Sequence, residues 1–368
     1  MPAPPTPRSD SGPAPGYPGT YRIDRSWEWN LAHGPQWNGP VPDVPPTPAK
    51  TLLGLPVRSR IGVAAGLLLG SKWVELYARL GFDVLTYKTV RSAARPCHPL
   101  PNWVYVDAKN GVGARDAVLV VADERPVRVA NVTSAVCFGM PSVAPEAWRT
   151  DVRAARDALS DGQVLIVSVV GTPGDGGEDA LVSDYVACAR DAEASGAHIV
   201  EANLSCPNVS SAEGSIYEDP GLSERLASAL RDAIPSTPIL LKSGWFDDEA
   251  QLGEFARAIA PHVDGVVMVN GIARRVVRKD GAPAFGNVTS VGILGRALHA
   301  PALTAARAVA RCRDAHSLDL AIVGVGGVMT EHAPTAFFDA GADAVVMGGA
   351  PMLDPLLAVR MKRAHPDW

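Results

Sequence analysis

From residue 60 onward one pattern recurs: a short apolar, β-branched run, a turn, then a longer stretch with helical spacing. The runs occupy residues 60–66 (RIGVAAG), 83–89 (DVLTYKT), 164–171 (VLIVSVVG), 198–206 (HIVEANLSC), 238–244 (PILLKSG), 265–271 (GVVMVNG), 319–327 (DLAIVGVGG) and 344–350 (AVVMGGA). Before the fourth run, Leu181, Tyr185, Cys188 and Ala192 fall on one helical face, and Gly196 stands where a helix would close. Continuously apolar strands that alternate with amphipathic helices call for a parallel sheet covered on its outside. Eight such units predict an α/β fold, a closed (β/α)₈ TIM barrel. An open, doubly wound sheet is the structural alternative.

Two segments depart from the pattern. Residues 103–132 hold short strand-like runs (WVYV, AVLVV, PVRVANV) where one helix is due, which predicts a β insertion after the second strand. The N-terminal extension is Pro-rich over residues 1–20 and reads as a disordered tail. Residues 21–59 carry Tyr21, Trp27, Trp29 and Trp37 and read as an arm packed on the barrel of residues 60–368.

Composition narrows the function. The chain has 368 residues, 47% of them hydrophobic, with a net charge of −5 and a pI near 5.9, so it offers no basic footprint for nucleic acid. A run of about 18 apolar residues and a signal-peptide pattern are both missing, which predicts a cytoplasmic protein without a membrane partner. The five cysteines, Cys97, Cys137, Cys188, Cys206 and Cys312, lack CxxC spacing, which argues against a disulfide framework and a zinc site; no metal is expected. On their helices, Cys188 and Cys312 read as small core residues.

In a (β/α)₈ barrel the active site lies at the C-terminal ends of the strands, and polar residues gather there. Lys88 ends the second run; Asn203, Ser205 and Cys206 end the fourth; Lys242 ends the fifth and Asn270 the sixth. The last two runs end in glycines, Gly326 and Gly327, then Gly348 and Gly349, as suits a phosphate held by bare backbone N–H groups. Two lysines, two asparagines and a glycine cup describe a flavin mononucleotide (FMN) site. Cys206, on a polar loop, can then take the proton that leaves the substrate while hydride goes to the flavin. The segment 209–219 that follows is polar and reads as a lid.

NLSCPN, with the Lys of TYKT, the Lys of LLKSG, the Asn of MVNG, GVGGV and the final MGG, resembles the dihydroorotate dehydrogenase family over about residues 60–363. The resemblance implies a barrel that binds FMN and oxidises a ring C–C bond of a small cyclic substrate. It places Ala64, Ala65 and Gly66 beneath the flavin, Lys88 and Lys242 at its ring, Asn203 against flavin and substrate, and Gly295 on the flavin side. Cys206 matches the general base of the family's soluble class, with Lys88 and Ser205 beside it as catalytic groups. That class also implies a homodimer, and a partner that carries electrons stays open.

The substrate residues depart from the family pattern. The family's loop reads near NS-(F/M)-G-(M/L)-P, whereas VCFGMPS puts Val136 at the expected asparagine, ahead of Phe138, Gly139 and Met140. After the sixth strand, Ala273 and Arg274 stand where an Asn-Ser pair is expected, with Arg274 a candidate for a carboxylate; Asn203 and Asn208 remain. Two lost amide partners would cost a bound orotate roughly 1–3 kcal/mol each. The reading is a family member with FMN and base kept and the substrate pocket rebuilt. Its alternatives are a true dihydroorotate dehydrogenase of pyrimidine biosynthesis and a flavin-free, phosphate-binding lyase or isomerase that uses Lys242 as a Schiff base.

Overall fold

A computed structural model describes residues 19–205 and 214–368. Cys206, Asn208, the first part of the expected lid and the tail up to residue 18 lie outside the described residues. In chain order the strands are β1 (Lys50–Leu52), β2 (Leu55–Val57), β3 (Ile61–Leu68), β4 (Val84–Val90), β5 (Trp103–Asp107), β6 (Val118–Val121), β7 (Thr133–Val136) and β8 (Val164–Val169). They continue as β9 (Ile199–Asn203), β10 (Ile239–Lys242), β11 (Gly265–Met268), β12 (Ile272–Val277), β13 (Val291–Gly295), β14 (Ala321–Val325) and β15 (Ala344–Met347).

Strands β3, β4, β8, β9, β10, β11, β14 and β15 close into one parallel barrel, each beside the next and β15 beside β3. These are the eight runs read from the sequence, so the fold is a (β/α)₈ TIM barrel. Its interior follows from the two-residue period of a strand. Val84, Val164, Ile166, Ile199, Leu240, Val267, Val323 and Val346 point inward and form one buried cluster. Leu52 and Val57 of the β1–β2 hairpin join that cluster and stopper the end of the barrel where the strands begin. On the outside, the helix Gly177–Ala194 buries Leu181, Tyr185, Cys188 and Ala192, the face its spacing predicts.

The insertion after the second barrel strand is only half of a larger feature. Strands β5, β6 and β7 combine with β12 and β13, which follow the sixth barrel strand, into a second, five-stranded closed barrel. The expected third strand PVRVANV is not one. Val127 is 90% exposed, Val129–Asn131 form a single 3₁₀ turn, and pairing begins only at Thr133, where β7 lies between β5 and β13.

The N-terminal arm packs from a point slightly before residue 21. Thr20 is fully buried; its N–H donates to the Met352 carbonyl (2.9 Å) and its hydroxyl meets the Tyr77 hydroxyl (2.6 Å). Tyr21 lies against Trp73, Trp103 and Phe138, with ring centroids 5.7–6.1 Å apart. Ser26 caps the helix Trp27–His33 by accepting from the Trp29 N–H, the ordinary role of serine at that position. Among the described residues, no helix is long and apolar enough to cross a membrane.

Candidate active site

Where the barrel strands end, the structure holds a cavity of about 1120 Å³, part of it open to solvent. The floor comes from the eight-stranded barrel. Lys88 ends the inward row Val84, Thr86, Lys88 of β4; Lys242 ends β10 and Asn203 ends β9. All three line the cavity and are only 5%, 3% and 5% exposed. Lys242 makes no side-chain hydrogen bond or ion pair with any described residue. A buried ammonium facing a cavity in this way calls for an anionic or strongly accepting ligand.

An amide network fixes the ends of β9 and β11. Asn270 donates to the Ser205 carbonyl (2.7 Å), to the Ser205 hydroxyl (3.2 Å) and to Asn203 Oδ1 (3.4 Å). The Ser205 N–H donates to the same Asn203 oxygen (3.2 Å), and the Tyr185 hydroxyl donates to the Asn203 carbonyl (2.7 Å). Ser205 is thus 3% exposed and acts on the site through Asn270 and Asn203, while the residue after it, Cys206, is outside the described chain.

The glycines divide into two kinds. Gly327 has φ +65°, and a Cβ there would lie 2.4 Å from the His299 backbone N, so the packing of the helix His299–His316 demands glycine. Gly348 and Gly349 line the cavity and have nothing within 4 Å of an added Cβ. The protein itself leaves that space open, as a cradle for a bulky anion would. Ala64, Ala65, Gly66, Gly295 and Gly326 complete this lining. Two buried cations, convergent amides and the bare cradle fit FMN. Gly326, Gly327, Gly348 and Gly349 would take its phosphate, and Lys88, Lys242 and Asn203 its ring. When bound, the flavin supplies a two-electron acceptor for a carbon–carbon bond.

The remaining wall belongs to the small barrel and the loop after it. Trp103, Val136, Phe138, Met140 and Leu294 line it, so this wall is apolar. Gly139 stands behind this wall, because a Cβ there would meet the His98 ring at 2.5 Å. Ala273 and Arg274 do not line the cavity. Ala273 is exposed, and the Arg274 guanidinium donates to the carbonyls of Val112 (2.9 Å), Ala273 (2.7 Å) and Gly113 (2.8 Å), binding β12 to the loop before β6. Asn270 and Gly271, just before β12, line the cavity instead.

Sequence reasoning missed Trp103 and Leu294, whose strands read as generic apolar runs, and also Arg91. Arg91 is 1% exposed; it donates to the carbonyls of Met140 (3.2 Å) and Gly171 (3.3 Å) and to the Thr172 hydroxyl (3.1 Å). It therefore sets the loop that carries Phe138 and Met140. None of the described cysteines lines the cavity. Burial pushes the Cys97 and Cys188 thiols up to about 12, which holds both as neutral thiols near pH 7.

Comparison with known proteins identifies the family. The family model described as dihydroorotate dehydrogenase matches residues 49–365. The chain is similar to a dihydroorotate dehydrogenase of Dictyostelium discoideum, 31% identical over 92% of this chain and 95% of that protein. It is also similar to the catalytic subunit of dihydroorotate dehydrogenase B (NAD(+)) of Bacillus pumilus, 32% identical over 50% of this chain and 58% of the relative. The same subunit of Listeria monocytogenes is 31% identical over 50% of this chain and 58% of its own length. With the barrel, the buried lysines and the glycine cradle already in place, the chain belongs to the dihydroorotate dehydrogenase family of FMN-dependent oxidoreductases that act on CH–CH bonds.

Proposed function

We propose that this member of the family oxidises a ring C–C bond of a small cyclic compound less polar than dihydroorotate, with Cys206 as the base. The single observation that carries the reading is the place of Val136 on the cavity wall, among Trp103, Phe138, Met140 and Leu294. An asparagine there would pair with a polar ring edge; valine leaves such an edge without a partner, at roughly 1–3 kcal/mol for each lost bond. Asn203 and Asn270 remain to hold one amide-like edge. Ser205, pinned at the end of β9 by Asn203 and Asn270, is followed in the sequence by Cys206, to which this reading gives the role of base. A thiol can accept the proton that leaves the substrate.

The test is an anaerobic titration that follows the flavin band near about 450 nm, the region where an oxidised flavin cofactor absorbs. Dithionite is expected to bleach the protein and dihydroorotate to leave it yellow. Rapid bleaching by dihydroorotate would overturn the altered pocket and identify a housekeeping dihydroorotate dehydrogenase. A panel of cyclic amides with apolar substituents then finds the compound that does bleach it. With that compound, Cys206→Ala is expected to slow flavin reduction about 10²-fold, at the low end of general-base effects. A wild-type rate in that variant would assign the proton to another group.

In this reading the protein works as a homodimer in the cytoplasm. A partner that carries electrons is the other arrangement; the Bacillus relative is named a catalytic subunit. Light scattering of the purified protein distinguishes the two.

A further inference from the structure

The barrel interior holds one acidic group that the site described above does not use. Along β9, Ile199 belongs to the interior cluster and Asn203 lines the cavity, so Glu201 between them points inward as well. Its neighbours in the sheet are Ser168 of β8 and Leu240 of β10. Lys242 is therefore one strand away and two residues further up, and Lys88 lies two strands away on β4. Glu201 is 1% exposed, its Oε1 has no hydrogen-bond partner, and Lys242 forms no ion pair with it. A carboxylate so placed would be expelled from a purely apolar interior. Beneath two buried ammonium groups it has a physical reason to stay, because charges several ångströms apart still interact strongly where water is excluded.

We propose that Glu201 is a positioning residue for charge: it is the counter-charge of Lys88 and Lys242 and sets how much of their positive potential reaches the flavin ring. It acts through the field and touches neither substrate nor flavin. The inference rests on bound FMN and not on the identity of the ring substrate, so a surprise in the dihydroorotate titration leaves it standing.

The test is the midpoint potential of the flavin in the holoprotein, measured by dye-equilibrated reduction. Glu201→Gln keeps the shape and removes the charge. The unbalanced lysines should then favour reduced flavin about tenfold at a fixed potential, an upward shift of about 30 mV for a two-electron couple. Glu201→Asp keeps the charge and should stay near the wild-type value. A folded, yellow E201Q protein with wild-type potential overturns the proposal, as does an equal shift in E201D, which would assign the effect to packing. Should E201Q fail to fold, the double variant E201Q/K242Q carries the test. Removal of one charge of each sign should restore folding, and a double variant as unstable as E201Q overturns the counter-charge role.

Discussion

A protein carrying both Gly348→Val and Gly349→Val is expected to purify colourless. Neither position needs glycine for packing, since an added Cβ meets no atom within 4 Å. Two isopropyl groups would therefore be accepted by the fold and would project into the cavity where the backbone N–H groups would hold the phosphate. Loss of two charge-assisted hydrogen bonds, at about 1.5–3 kcal/mol each, weakens FMN binding by about 10²- to 10⁴-fold. The flavin-to-protein absorbance ratio after gel filtration reads the loss, and thermal melting without added FMN checks the fold. A variant that stays yellow and keeps wild-type affinity would move the phosphate elsewhere. Valine at Gly327 makes a useful contrast: with φ +65° and the His299 backbone 2.4 Å from its Cβ, it should destabilise the chain itself.

The second large effect lies at the opposite end of the barrel. Lys362, on the helix Leu357–Ala364, donates to Asp83 Oδ2 at 2.6 Å, and the two side chains are 2% and 1% exposed. Ser59 donates to the same oxygen at 2.5 Å, and the half-exposed Arg58 lies 3.4 Å from the other. Burial pulls the lysine below its usual value while Asp83 pulls it up, as expected for an ion pair held out of water. Lys362→Met leaves a buried carboxylate short of its main partner and is expected to cost about 3–5 kcal/mol in denaturant unfolding. A second change, Asp83→Asn, should return most of that loss, because removal of both charges of a buried pair is often nearly neutral. A single variant as stable as wild type would show that Ser59 and Arg58 suffice for Asp83.

These two regions also mark what could be read from the sequence. The barrel was legible because each strand is a continuous apolar run whose last inward residue is polar or glycine, and that pattern survives without knowledge of any neighbour. The lysines, asparagines and glycines of the floor were legible for the same reason. The small barrel was not. In IARRVV of β12, buried and exposed residues alternate only at first, and its partners β6 and β13 are set by contacts far along the chain. Without those contacts Arg274 looked like a ligand-binding group, whereas its guanidinium is spent on backbone carbonyls. Trp103 and Leu294 become wall residues only once β5, β7 and β13 are placed side by side.

The division of the cavity between two barrels bears on how such a protein can change over time. The floor and the phosphate cradle belong to strands whose other residues are locked into the interior of the large barrel. The wall belongs to a separate, smaller closed sheet, with a hydrophobic cluster of its own around Val106, Leu119, Ala135, Ile272 and Ile293. The wall side chains Trp103, Val136, Phe138 and Met140 nevertheless pack into the main cluster, so a substitution there leaves Lys88, Lys242 and Asn203 in place but must fit against neighbours such as Tyr21. A library confined to Trp103, Val136, Phe138, Met140 and Leu294 is therefore the place to breed different substrate preferences.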